Sequence, residues 1–162
     1  MIDPLTGCGG LDALERRLRE EMQRSERYAR RFTVAIVDVK GLRFLNQRSG
    51  VEAGDRVLTE LGGLFQRELR SPDFVARYGG DEFALILPET DERGGRETLT
   101  RLRRAIARHT FPDLETAPLE VEAGFASYPM EGAFQPNDLL AAAEASLTAA
   151  AGSRPSGAED AA

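Results

Sequence analysis

The stretch Phe74-Val75-Ala76-Arg77-Tyr78-Gly79-Gly80-Asp81-Glu82-Phe83-Ala84-Leu85-Ile86-Leu87-Pro88 decides the reading of this chain. Two apolar runs, about 74–78 and 82–87, flank Gly79-Gly80-Asp81. Glycine supplies the positive φ that a tight hairpin turn needs. Pro88 ends the second run, because it has no N–H to give to a ladder. The spacing predicts a β-hairpin with two carboxylates, Asp81 and Glu82, at its tip.

Upstream, residues 32–39 (Phe-Thr-Val-Ala-Ile-Val-Asp-Val) are short, β-branched and almost continuously apolar, which predicts a buried central strand. Helical periodicity predicts long helices over 11–29 (Leu11, Leu14, Leu18, Met22), 52–69 (Val57, Leu58, Leu61, Leu64, Phe65, Leu69) and 91–109 (Leu99, Leu102, Ile106), and a short one near 42–48. Residues 119–125 alternate, with Leu119, Val121, Ala123 and Phe125 on one face and Glu120, Glu122 and Gly124 on the other. That predicts a half-buried strand. An alanine-rich helix is expected over 136–151. The domain then spans 1–152, and the small, polar 153–162 reads as a disordered tail. The order is helix, strand, two helices, hairpin, helix, strand, helix. It gives an α+β fold, with helices over a mixed, largely antiparallel sheet. The hairpin tip at 79–81 is expected beside the C-terminal end of the 32–39 strand.

The totals narrow the function. At 162 residues and 41% hydrophobic, the chain can bury one domain's core. Lys and Arg number 21 against 27 Asp and Glu, a net charge of −6, which disfavours nucleic acid as a partner. A single cysteine, Cys8, excludes an internal disulfide and a cysteine-based zinc site, and a single histidine, His109, excludes a multi-histidine metal site. No apolar run approaches a membrane span and no signal segment opens the chain, so a cytoplasmic setting is expected. Cys8 reads as an incidental loop thiol. His109 reads as a helix end complementing its dipole, and the charges of 15–31 as a solvated helix face.

Asp38 interrupts the most apolar strand, and Asp81 and Glu82 lead into another. Acids at the ends of buried strands are costly unless paired, hydrogen-bonded or metal-bound. One or two carboxylates completed by phosphate oxygens are what Mg²⁺ prefers. Gly79 and Gly80 allow a ligand close to the backbone. Spacing alone leaves two readings open: a Mg²⁺-nucleotide site, or an ordinary acidic turn.

Gly79-Gly80-Asp81-Glu82-Phe83 resembles the signature of GGDEF domains, the diguanylate cyclases that condense two GTP into cyclic di-GMP. A given five-residue string arises by chance in such a chain with a probability on the order of 10⁻⁴. Asp3-Pro4-Leu5-Thr6-Gly7 is similar to the family's opening motif. Asp38, Asn46, Gly50, Gly54 and Asp55 stand at the spacing of its Asp-x-Asp-x-Phe-Lys-x-x-Asn-Asp segment and following Gly-Asp, and Ala76-Arg77-Tyr78 precedes the signature as in many members. The resemblance covers roughly 3–150. It implies a nucleotide-cyclase-like, ferredoxin-like core (βααββαβα after an N-terminal helix).

The resemblance also implies roles. Asp38, Asp81 and the backbone carbonyl of Val39 would bind Mg²⁺ or Mn²⁺. Glu82 would act in the metal site or help deprotonate the attacking 3′-hydroxyl. Asn46 and Asp55 would read guanine, whose N1–H and N2–H₂ donors adenine lacks. Gly41, Leu42 and Arg43 would offer amides and a charge to the phosphates, with Gly79 and Gly80 lining the site. A homodimer would bring two GTP together. Arg70, Asp73 and Arg101 match an inhibitory cyclic di-GMP site, since arginine forks suit phosphate and guanine edges. The opening motif lies almost at the chain's start, so an upstream sensory domain is an expected partner.

The chain also departs from the family's pattern. Lys40 stands where a second aspartate is usual, Gln47 where an aspartate is, and Val51 where a histidine is. Cys8-Gly9-Gly10-Leu11 replace an Asn-Arg pair. Thr148 and Ala151 fall at the usual Tyr and phosphate-binding Lys, and Arg154 lies further along. These changes imply weakened GTP binding. They leave two alternatives to an active cyclase: a module that binds GTP or cyclic di-GMP and passes on a signal, or a scaffold for dimerisation. Intact Asn46 and Asp55 argue against the scaffold.

Overall fold

The structure is a computed structural model that describes residues 1–114 and 119–152. In chain order the elements are α1 (Leu11–Tyr28), β1 (Phe32–Lys40), α2 (Leu42–Ser49), α3 (Val51–Glu68), β2 (Phe74–Arg77), β3 (Glu82–Pro88), α4 (Glu92–Arg108), β4 (Glu120–Tyr128) and α5 (Pro136–Gly152). The four strands form one sheet in the order β2-β3-β1-β4. This is the expected α+β architecture, with boundaries within a residue or two except at β4. The expected tail at 153–162 lies outside the described residues.

Among the described residues all strand pairs are antiparallel, and the mixed component reduces there to one isolated parallel bridge, Gly9 to Ala76. β1 lies at the centre because its residues are apolar on both faces. Its odd-numbered side chains Ala35, Val37 and Val39 join Leu61, Phe65, Leu102 and Ile106 in a core under α3 and α4. Its even-numbered side chains Phe32, Val34 and Ile36 join Leu14, Leu18, Leu139 and Ala143 in a second core under α1 and α5. Asp91 starts α4 as the sequence suggests, its carboxylate accepting the Gly94 N–H at 2.8 Å.

β4 corrects the sequence reading twice. The strand runs to Tyr128 because it pairs with β1 along its whole length, Phe32 opposite Tyr128 and Lys40 opposite Glu120. Nor is it half-buried. α5 covers the face expected to be open, so Ala126 and Tyr128 enter the second core and Glu122 is 8% exposed. His109 follows the last turn of α4. Its ring faces Glu60, with Nε2 3.5 Å from a carboxylate oxygen, and packs edge-on to Phe111. Cys8 is a core thiol, and burial pushes it above its ordinary pKa, so it is no nucleophile.

Candidate functional site

The carboxylates expected to carry chemistry meet at the C-terminal end of β1. The hairpin tip lies beside it as predicted: Asp38 is in register with Glu82, and the Val39 N–H donates to the Asp81 carbonyl at 2.8 Å. On the other side Asp38 is in register with Glu122. Residues directly opposite on antiparallel strands share a face and stand close together. Glu82, Asp38 and Glu122 therefore form a row across three strands. Asp81 is exposed at the turn.

The turn is held from behind by Arg77. Its guanidinium donates to the carbonyls of Gly79 (3.2 Å) and Gly80 (3.0 Å) and lies 3.6 Å from Asp3. Asp3 in turn accepts from the Thr6 N–H and hydroxyl, at 3.0 and 2.7 Å. Burial opposes ionisation of Asp3, but Thr6 and Arg77 outweigh it and hold its carboxyl below the ordinary range. The opening motif is thus a brace for the glycine turn, a role that its position in sequence did not disclose.

Like charges crowd the row. Burial first, then the charges of Asp38, Asp81 and Glu144, raise the Glu82 pKa above the ordinary carboxylate value, while Lys40 works the other way. Tyr78 is pushed up to about 12 by burial and by its hydrogen bond to Glu144. Sequence reasoning missed Glu122, Glu144 and the placement of Lys40. Glu122 was hidden by the assumption that its face was open, and Glu144 lies in an alanine-rich helix with no local motif.

Among the described residues no three His, Cys, Asp or Glu side chains converge into a ready-made cage for a metal ion. The donor set is of another kind: carboxylates at a strand end, beside a glycine turn, with mutual repulsion that a cation would relieve. That chemistry fits Mg²⁺ or Mn²⁺, which keep waters and take phosphate oxygens.

After β1 the chain turns at Gly41, with φ 92°, and enters α2 with no side-chain cap. The first-turn amides of Leu42 and Arg43 are therefore not taken by a capping side chain. Leu42 is buried and Arg43 exposed. Asn46 projects from α2 toward α3, and its Oδ1 is buried without a hydrogen-bond partner. A methyl group at position 54 would overlap that oxygen and lie 2.9 Å from Asn46 Cγ. Gly54 therefore makes room for the amide, and Asp55, partly exposed, is the next residue. Both expected guanine readers thus sit at the α2–α3 junction.

The second expected site divides. Arg70 and Arg101 line one cleft of about 330 Å³, together with Arg31 and with the acids Glu89, Asp91 and Glu97. Nε and Nη2 of Arg101 are buried without partners. The Asp73 side chain is fully buried and bound to Arg70 Nε and Nη2 at 3.1 and 2.8 Å, so it holds the arginine and does not face the cleft. A larger cavity of about 600 Å³, near His109 and Phe111, is lined by Glu120 but by none of Asp38, Asp81, Glu82 and Glu122. Thr148 is exposed on α5 and bonds to the Glu144 carbonyl. The side chain of Ala151, and Arg154, lie outside the described residues.

Comparison with known proteins bears on the family and the fold. The family profile described as "Diguanylate cyclase, GGDEF domain" matches residues 1–154. Diguanylate cyclase DgcP of Pseudomonas aeruginosa is 40% identical over 111 residues, which cover 68% of this chain and 16% of that protein. The chain thus spans only about a sixth of that relative. The GGDEF domain of TpbB (YfiN) from Pseudomonas aeruginosa is similar in structure, with a TM-score of 0.83 and 28% identity, over 93% of this chain and 88% of that one. The GGDEF domain of DgcB from Caulobacter crescentus, solved in complex with cyclic di-GMP, has a TM-score of 0.82 and 27% identity, over 94% and 91%.

Proposed function

The chain belongs to the GGDEF domain family, and on that premise we propose that it is a diguanylate cyclase domain, condensing two GTP into cyclic di-GMP and pyrophosphate. The observation that carries this is the register of Asp38 with Glu82 at the strand ends, directly before the uncapped turn of Gly41. Asp38, Glu82 and the carbonyl of Val39, with Asp81 at the turn, would hold Mg²⁺ or Mn²⁺. A bound divalent ion supplies charge neutralisation for the triphosphate and the departing pyrophosphate.

The residues of the chain do the rest. The amides of Leu42 and Arg43 and the Arg43 guanidinium hold the phosphates, and Gly79 and Gly80 leave room beside them. Asn46 and Asp55 accept the guanine donors and select GTP over ATP. In the chemical step, the 3′-oxygen of one GTP attacks the α-phosphorus of the other. Its proton passes to a base, a role open to Glu82 if it is not held by the metal, and the bond to pyrophosphate breaks. A second such step closes the ring. Each domain holds one GTP, so catalysis requires two copies face to face. The cleft with Arg70 and Arg101 suits cyclic di-GMP as a product inhibitor, with Asp73 setting Arg70. An upstream sensory domain would control the pairing, in the cytoplasm where GTP is available.

Two observations favour a weaker variant of this reading. Exposed Thr148 offers no cation to the triphosphate, and Lys40 sits on Asp38. A domain of low activity that binds GTP or cyclic di-GMP and relays a signal is the second reading. Incubation of concentrated, dimeric protein with GTP and Mg²⁺, followed by mass spectrometry, separates the two. Cyclic di-GMP from the wild type and none from Glu82→Gln establishes the enzyme. Intact GTP with the dimer present favours the binding module, and titration with cyclic di-GMP at Arg70 and Asp73 then tests it.

A further inference from the structure

We infer that Lys40 is a tethered cation of this site: its ammonium, anchored by Glu122, occupies the place beside Asp38 for which a divalent metal must compete. The inference rests on the reading of Asp38 as a metal ligand.

Residues two apart on a strand share a face, so Lys40 reaches back over the Asp38 side chain. Its Nζ lies 2.6 Å from Asp38 Oδ2 and 3.7 Å from Glu122 Oε2. The two carboxylates are largely withdrawn from water, with side-chain exposures of 17% for Asp38 and 10% for Glu122, while the Lys40 side chain is 42% exposed. Solvent therefore screens the pair in part, but less than a pair whose members are both exposed. Three carboxylates in register across three strands repel one another. In a chain with an acid at position 40 the row would gain a fourth charge, and only bound metal could neutralise it. Here a covalently attached charge does so without metal.

Two consequences follow. The strand ends keep their arrangement in the absence of metal, and the ammonium must leave Asp38 Oδ2 when a divalent ion takes that oxygen. Metal affinity is lowered by the amount of that competition. Removing one positive charge from hydrogen-bonding distance of a ligand oxygen is expected to tighten divalent binding by roughly tenfold or more.

The test is a titration with Mn²⁺ alone, followed by electron paramagnetic resonance of the free ion. It uses the wild-type protein, Lys40→Met, Lys40→Gln, Lys40→Arg and Asp38→Asn, each with a thermal melt in chelator. Lys40→Met should bind Mn²⁺ about tenfold more tightly than wild type, melt lower in chelator, and recover on adding Mn²⁺. Lys40→Arg, which keeps the charge, should bind like wild type, and Lys40→Gln, which removes the charge but keeps a polar chain, should bind Mn²⁺ more tightly and serves if Lys40→Met fails to fold. Asp38→Asn should lose binding. If Asp38→Asn weakens binding but Lys40→Met matches wild type in affinity and in chelator, the tethered-cation inference fails and the metal site stands. If Asp38→Asn binds like wild type, or no variant binds, the metal reading fails and takes this inference with it.

Discussion

Replacing Gly54 by alanine separates guanine recognition from folding. The added methyl would overlap Asn46 Oδ1, sit 2.9 Å from Cγ and 3.2 Å from Nδ2, so the amide must rotate out of the α2–α3 junction. The substitution lies in the first turn of α3, where alanine gains up to about 1 kcal/mol over glycine in helix propensity. Displacing one flexible side-chain end, whose Oδ1 makes no hydrogen bond in the free protein, offsets that gain. Net stability should change by less than about 1 kcal/mol. Nucleotide affinity should not be spared. One or two hydrogen bonds from Asn46 to guanine are worth about 1–3 kcal/mol together, or roughly a 5- to 150-fold weakening. Calorimetric titration with a non-hydrolysable GTP analogue measures this, with urea unfolding as the control. Asn46→Ala should show the same loss, and the double variant should add little to it, because both changes remove one interaction. A folded Gly54→Ala protein with wild-type affinity would refute the placement of guanine at this junction.

Other outcomes follow from the same contacts. The Glu82 carboxyl is raised by burial and its acidic neighbours, so its ionised form disfavours the folded state. Glu82→Gln should therefore stabilise the metal-free protein at pH 7 by up to about 1 kcal/mol, reduced by solvent screening. The gain should vanish as the pH falls through the folded-state pKa to the ordinary carboxylate range near 4. Urea melts at the two pH values check this, and an equal gain at both overturns the assignment. Arg101→Ala should abolish cyclic di-GMP binding at little cost in stability, because Nε and Nη2 have no partners to lose. Arg70→Ala should lose binding and also about 1–3 kcal/mol, because it strips the side-chain donors from buried Asp73. Titration of cyclic di-GMP beside thermal melts distinguishes the two. Arg77→Ala should loosen the glycine turn, seen as faster amide exchange at Gly79 and Gly80, since it removes the donors to both carbonyls.

Local chemistry made much of this protein legible in advance. β1 is apolar on both faces, so its central place could be read from eight residues, and the glycine turn announced the hairpin and its acids. The helices followed from periodicity, because one buried stripe suffices to define each. Family spacing brought Asn46, Asp55, Arg70 and Arg101 into view with no geometry. What could not be read was whatever depended on a surface supplied by a distant segment. The alternation of 119–125 implied one wet face, and α5, arriving from residues 136–152, covered it. Glu122 thereby changed from a solvated acid into the buried third member of a row whose other two members are half-buried. Asp73 passed from ligand contact to brace, because the fold of 70–73 turned its carboxylate back onto Arg70. Lys40 stood out in sequence only as a missing aspartate. That its ammonium rests on Asp38 follows from their spacing along one strand, but its approach to Glu122 was decided by the pairing of β1 with β4, since charges interact over a few ångströms of space and not over positions in a chain.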